Sequence, residues 1–165
     1  MNVNASHLEF SAAQIALIVT TLIYFTMNGA QIFETAVLVP KWTAAAPESF
    51  TLFRGPHAID LKTFWIATHA IHEVSMIVAI ILCWKLEVRN ALLLVFVLHF
   101  AVRAWTLGYF APEIMSFQRI AESGEEAVNL LARVRRWKWL NLMRVAAFIA
   151  LSFAMIPLCY RVLSR

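Results

Sequence analysis

Charge is scarce in this chain. Only 15% of its 165 residues are Asp, Glu, Lys or Arg, against about 25% in an ordinary globular protein. Glycine (4), proline (5) and cysteine (2) are scarce too. Each shortage excludes something. Low charge with high apolar content excludes intrinsic disorder, and the low Gly and Pro content excludes a collagen-like chain. Two cysteines, Cys83 and Cys159, are too few for a disulfide scaffold or a zinc ribbon. What the chain has in abundance is hydrocarbon: 61% of its residues are hydrophobic and the mean hydropathy is +0.70. That composition belongs in a lipid bilayer, and the length suits one domain. The net charge of +4 sits largely in one connecting segment and reads as topology and lipid contact. The aromatics lie inside apolar runs, not among exposed basic residues, so no nucleic-acid partner is expected.

Crossing the hydrocarbon takes about 20 helical residues. Four runs qualify, approximately Ala12 to Val39, Leu61 to Trp84, Asn90 to Phe110 and Leu140 to Tyr160. The expected fold is an all-α integral membrane four-helix bundle forming a single domain over residues 1–165. Pro40 is expected to end the first span, and Lys85, Glu87 and Arg89 mark a short turn that makes the second and third spans antiparallel. The first run has no basic leader and no small-residue cleavage pattern, so it is read as a retained span. Between the third and fourth spans, Ala111 to Trp139 reads as an amphipathic interfacial segment in two pieces divided at Ser123-Gly124. Ser123 and Glu126 have capping-box spacing, which predicts a helix start there and a fourth helix exceeding ~50 Å if unbroken. Trp42, Trp84, Trp137 and Trp139 are expected in the interfacial belt, and Gly29 and Gly108 at close helix contacts. Cys83 and Cys159 are read as lipid-buried thiols, and His7 and His57 as solvated.

Basic residues set the orientation. Lys41, Arg54, Lys62, Arg119, Arg133, Arg135, Arg136 and Lys138 fall on the side of the two larger loops, against Lys85, Arg89, Arg161 and Arg165 on the other. The bias places the larger loops in the cytoplasm and both termini outside, in a plasma or inner membrane.

Polar side chains at bilayer depth are costly and mark candidate sites. Here they form one stripe per helix: Tyr24-Asn28-Gln31-Glu34, Trp65-His69-His72-Glu73, His99-Arg103-Thr106-Phe110 and Trp137-Asn141-Arg144-Phe148. Counting along the helices places the charged and histidine members within roughly 18 Å of the larger-loop side. The opposite half is nearly all aliphatic. A through-pore needs polar lining along its whole length, so the pattern implies a one-sided polar pocket with a dry floor.

Two structural ion pairs, joining Glu34 and Glu73 to Arg103 and Arg144, would account for the charges alone, with the histidines as hydrogen-bonded core residues. Two other readings give the stripes a chemical role. His-x-x-His-Glu (His69, His72, Glu73), with His99 opposite and Glu34 adjacent, offers nitrogen and oxygen donors for a mononuclear first-row transition metal. Only two carboxylates lie at depth, too few for a carboxylate-bridged di-iron site. Bis-histidine haem through His69 and His99 ranks lower, because it needs an apolar slot for the macrocycle. Alternatively no cofactor is used. His69 or His72, oriented by Glu73, then acts as base, with His99 as partner and Arg103 or Arg144 stabilising developing negative charge. Asn28, Gln31, Trp65, Asn141 and Arg144 are the candidate substrate-binding residues, and Trp105, Tyr109 and Phe110 candidate apolar walls.

The Asn28-Gly29 and Glu34 … Pro40 pattern closing the first span, and Arg136-Trp137-Lys138-Trp139-Leu140-Asn141 opening the last, resemble the anthrone oxygenase-like family of small four-helix membrane proteins. The likeness covers nearly the whole chain. It implies oxidation of a lipophilic aromatic or quinone-like molecule by a base-assisted route, without metal or flavin. The expected partners are thus a lipophilic small molecule and the bilayer. The rival readings are a non-catalytic lipid-binding or accessory protein and a proton-coupled carrier using Glu34 and Glu73. The dry half and the lack of inverted repeats count against the carrier.

Overall fold

The computed structural model describes residues 10–53, 55, 58–59, 61–124 and 128–164. His7, Arg54, His57, Glu126 and Arg165 lie outside them. Four long apolar helices make up the bundle: α1 (Ala12–Trp42), α2 (Leu61–Leu82), α3 (Arg89–Ser123) and α4 (Leu130–Leu163), all apolar enough to cross a membrane. The protein is an all-α four-helix bundle of multi-pass membrane type. α1 packs against both α2 and α4, and α4 also packs against α3. Ser11 caps α1 reciprocally with Gln14, satisfying free backbone N–H groups at its start.

Pro40 does not end α1. A proline ring clashes with the carbonyl one turn back and supplies no N–H. The backbone absorbs this by widening into a π turn over Glu34–Leu38, and the helix then continues through Pro40 to Trp42. α3 repeats the device, with a π turn over Thr106–Phe110 ahead of Pro112. Each π turn opens six residues before its proline, at Glu34 and Thr106. Such turns recur beside functional sites, and here both lie within one helical turn of the polar stripes.

The segment after the third span divides at Ser123-Gly124, as its sequence implies, and its first piece, Ala111–Ser123, continues α3 directly. Ser123 does not start a helix. It ends α3, because Gly124 adopts φ +70 and donates its N–H to the Ile120 carbonyl at 3.0 Å. α4 starts later, after Asn129. At ~1.5 Å per residue α3 and α4 are each roughly 50 Å long, well beyond a hydrocarbon core of ~30 Å. Their overhangs are joined by Arg133, which pairs with Glu113 at 3.1 Å and donates to the Ser116 hydroxyl at 2.8 Å.

Two cores result. Leu17, Met76, Ala79, Leu92, Val95 and Met155 fill the dry half. A separate aromatic cap forms where the overhang meets the end of α1 and the short 3-10 helix Glu48–Phe53. It contains Trp42, Phe50, Phe110, Phe117 and Trp137, with Trp42 and Trp137 edge to face at 5.0 Å. Trp42 and Trp137 are therefore buried cap residues, not interfacial anchors, because the overhang gives their rings protein to pack on. Trp84 and Trp139 are exposed. Gly29 and Gly108 are no close contacts either: both are exposed, and a Cβ at either position meets nothing within 4 Å. Cys83 and Cys159 are free thiols.

Two stability outcomes follow from this packing. Phe117→Ala removes a fully buried ring from the cap and should cost about 3–5 kcal/mol, read as a lower midpoint in denaturant unfolding of the detergent-solubilised protein. Gly29→Ala should stabilise by up to about 1 kcal/mol, since helix propensity improves and nothing is displaced.

Candidate functional site

Between the two cores lies a polar layer. α1 contributes Tyr24, Asn28 and Gln31, all buried, and half-buried Glu34. α2 contributes buried His69 and His72 and half-buried Trp65 and Glu73. From α3 come buried His99 and Thr106 and half-buried Arg103, and from α4 buried Asn141, Arg144 and Phe148. Only these inward faces pack on protein. Their neighbours Ile71, Val74, Phe100 and Met143 are exposed toward the lipid.

The imidazoles are clustered. His72 lies 4.7 Å from His99 between ring centroids, and His69 lies 6.2 Å from His99. Tyr24 packs on His72 at 4.2 Å, and its hydroxyl shares a 3.0 Å hydrogen bond with His99 Nδ1. Phe148 closes the layer from α4, 5.3 Å from His99. One ligand atom from each of His69, Glu73 and His99 lies within 4.8 Å of the other two. The carboxylate therefore groups with His69, one helical turn away, and not with the adjacent His72. His72 and Glu34 stand outside that group.

The charges pair differently from expectation. Glu73 accepts a hydrogen bond from Arg103 Nε at 3.2 Å in an ion pair. Glu34 and Arg144 interact electrostatically but do not close to an ion pair, and Glu34 instead has the Trp65 indole beside it. Arg144 is held by Asn141, whose Oδ1 accepts from Nη2 at 2.7 Å, and by the Phe110 ring 4.5 Å below the guanidinium. Asn141 in turn donates to Thr35 Oγ1 at 3.1 Å. The π turn that begins at Glu34 thus places Thr35 and Glu34 together at the end of the polar layer. Asn28 donates to the Phe148 carbonyl at 3.2 Å.

Several buried atoms have no partner among the described residues: His69 Nδ1, both nitrogens of His72, His99 Nε2, Asn28 Oδ1 and Arg144 Nε. Each such group costs roughly 1–3 kcal/mol if it stays unsatisfied. Four of these atoms are imidazole nitrogens gathered in one layer, which makes it the candidate site.

A cavity of about 400 Å³ lies on the outer face between α1 and α2, bounded by Leu22, Thr26, Met27, Phe64, Thr68 and Ile71. Of the expected apolar walls, Trp65 lies 5.7 Å from His69, whereas Trp105, Tyr109 and Phe110 belong to the aromatic cap. Tyr24 and Phe148 stand on the sequence stripes, but no chemistry of their own singles them out. Their only signal is the i, i+4 step to Asn28 and Arg144.

No family model, curated protein or solved structure matches this chain.

Removing one partner of the Glu73–Arg103 pair should hurt more than removing both. Arg103→Met strands a carboxylate at bilayer depth, and a cost of about 3 kcal/mol is expected. Arg103→Met with Glu73→Met should recover most of that loss in a double-mutant cycle on detergent unfolding.

Proposed function

We propose that this protein is a membrane-embedded oxidoreductase of the oxygenase type, acting on a lipophilic aromatic or quinone-like molecule. The supporting observation is the set of four unpartnered imidazole nitrogens, flanked by a carboxylate and two guanidinium groups, within the apolar bundle. The likeness of Asn28-Gly29, Glu34 … Pro40 and Arg136–Asn141 to the anthrone oxygenase-like family points the same way.

The resemblance implies as substrate a carbon acid, a methylene held between aromatic rings and activated by a ketone, and the groups of the layer suit its chemistry. His69, with the Glu73 carboxylate within 4.8 Å to favour its protonated form, takes a proton from that methylene. The resulting enolate oxygen is stabilised by Arg144 or Arg103, whose charges act strongly where water is excluded. Dioxygen then oxidises the carbanion. In the balanced reaction the methylene gives up both hydrogens and gains one oxygen atom to become a second ketone, while the other oxygen atom of the same dioxygen leaves as water. Asn28, Gln31 and Asn141 supply hydrogen bonds that fix the oxygenated edge, and Trp65 supplies a flat wall. The cavity between α1 and α2 supports access from the lipid, since Thr68 and Ile71 flank His69 and His72 in sequence and Met27 precedes Asn28. The excess of basic residues on the larger-loop side supports placing the polar layer toward the cytoplasm, with both termini outside.

The test is oxygen uptake by the purified full chain in detergent, supplied with an anthrone-class ketone. One dioxygen consumed per new ketone formed is expected. His69→Gln and Glu73→Gln should each lower kcat by about 10²–10⁴-fold while the proteins stay monodisperse, and Trp84→Phe, on the exposed far end, should leave it unchanged. Uptake that equals the protein-free rate, or that survives intact in both site variants, overturns the reading.

A further inference from the structure

We propose that His69, Glu73 and His99 form a binding site for a single divalent first-row transition metal ion. The family resemblance implies no metal, so this inference comes from the geometry of the polar layer alone. It concerns the same side chains as the oxidation proposed above and rests on that reading only for what the ion would do: an imidazole that ligates an ion has no lone pair left for a proton, so with the ion bound the base would be an oxygen ligand of the ion and not His69.

Two histidines and one carboxylate, on two facing helices, present their donor atoms within 4.8 Å of one another. Bonds of about 2.0–2.2 Å from such donors leave them about 3–3.5 Å apart around an ion. Side-chain rotation therefore has to bring the three donors in by roughly an ångström or so. His69 and Glu73 are four residues apart on α2 and so project from the same face, while His99 reaches across from α3. Two imidazoles with one carboxylate leave coordination positions open, a pattern that suits redox-active first-row ions better than a closed structural zinc site.

The surroundings of each donor fit that role. His99 uses Nδ1 for the Tyr24 hydroxyl and leaves Nε2 buried without a partner among the described residues. In the tautomer that binds through Nε2, the Nδ1–H donates to Tyr24. A ligating histidine is characteristically oriented by such an outer hydrogen bond. His69 likewise presents a buried, unpartnered Nδ1. Glu73 is held by Arg103 through one oxygen, Oε1, and its other oxygen makes no hydrogen bond among the described residues. Arg103 orients the carboxylate without using all of it.

Charge defines what else the ion takes. Glu34 and Glu73 offset Arg103 and Arg144, so a bound dication leaves an excess of positive charge in a low-dielectric layer. The open positions should therefore favour an anionic oxygen ligand, such as hydroxide or the enolate of a carbon acid. His72 is not a ligand in this assignment. Its ring packs on Tyr24 and His99 and braces them.

The experiment is metal titration of the full-length protein in detergent, stripped with chelator, in a background where His7 and His57 are alanine. Divalent copper is the probe for paramagnetic resonance, and elemental analysis gives stoichiometry after desalting. One ion per chain with hyperfine coupling to two nitrogens is expected. His69→Phe and His99→Phe should each lose one nitrogen, and His72→Phe should keep both. Glu73→Gln, which preserves shape and the hydrogen bond from Arg103, should weaken binding at least tenfold, and Tyr24→Phe should weaken it by about 10–100-fold. No stoichiometric ion, or a two-nitrogen signal that survives in both His69→Phe and His99→Phe, overturns the site. If the phenylalanine variants misfold, Glu73→Gln carries the test, and unchanged affinity there is equally fatal. Turnover by stripped protein that binds no ion would overturn the site and leave base-assisted oxidation standing. Stoichiometric binding without turnover would support the site and overturn the oxidation.

Discussion

Hydrocarbon offers no hydrogen bonds, so a polar side chain in a membrane span must turn toward other protein or stay unsatisfied at a cost of several kcal/mol. This constraint organises the whole molecule. Ten strongly polar residues on four helices can be sheltered together only if the helices present them to a common interior, which orients every helix about its axis at once. Once Tyr24, His72, His99 and Phe148 meet, the aliphatic residues half a turn away necessarily face lipid, and those further along the same faces make the dry core. The Glu73–Arg103 pair adds a specific register between α2 and α3, because the two charges are tolerated at depth only when they meet.

The polar groups of the layer differ in how fully they are bonded. A bundle selected only for stability would pair each imidazole nitrogen or replace it with an apolar side chain, since exchanging a polar cluster for hydrophobic packing is often neutral or stabilising. Among the described residues the hydrogen-bonding capacity of three histidines is largely unspent, while Asn141, Thr35 and Asn28 are used to hold neighbours in place. The aromatic cap seals one side of this layer and the aliphatic core the other. Proton transfer, charge stabilisation and metal ligation all gain from such enclosure, because electrostatic interactions strengthen as water is excluded.

The paired π turns connect this chemistry to the backbone. Pro40 and Pro112 would break ordinary helices, yet each is absorbed by a local widening next to the polar layer. The widened turns carry α1 and α3 past the end of the layer into the cap, where Trp42 and Phe117 pack 5.8 Å apart. The same prolines thus separate a membrane-depth site from an overhang that closes it.

Much of this was legible in the residues alone. Length of apolar runs fixes the number of helices, and the i, i+3, i+4 recurrence of Asn28, His69, His99 and Arg144 fixes which face of each turns inward, because both follow from local helix geometry and the cost of polarity in lipid. The helix ends were less legible. Pro40 and Ser123 carry stop and start signals that hold for isolated helices, but a π turn overrode the first and the left-handed Gly124 reversed the second. Trp42 and Trp137 have the composition of interfacial anchors, and only the overhang of α3 and α4 makes them core. Within the site, sequence spacing could not say that Glu73 groups with His69 and His99 while His72 packs on Tyr24, or that Glu34 and Arg144 stop short of an ion pair. Those outcomes depend on the relative rotation and rise of different helices, which are set by side-chain packing between them and carry no signature in any one helix.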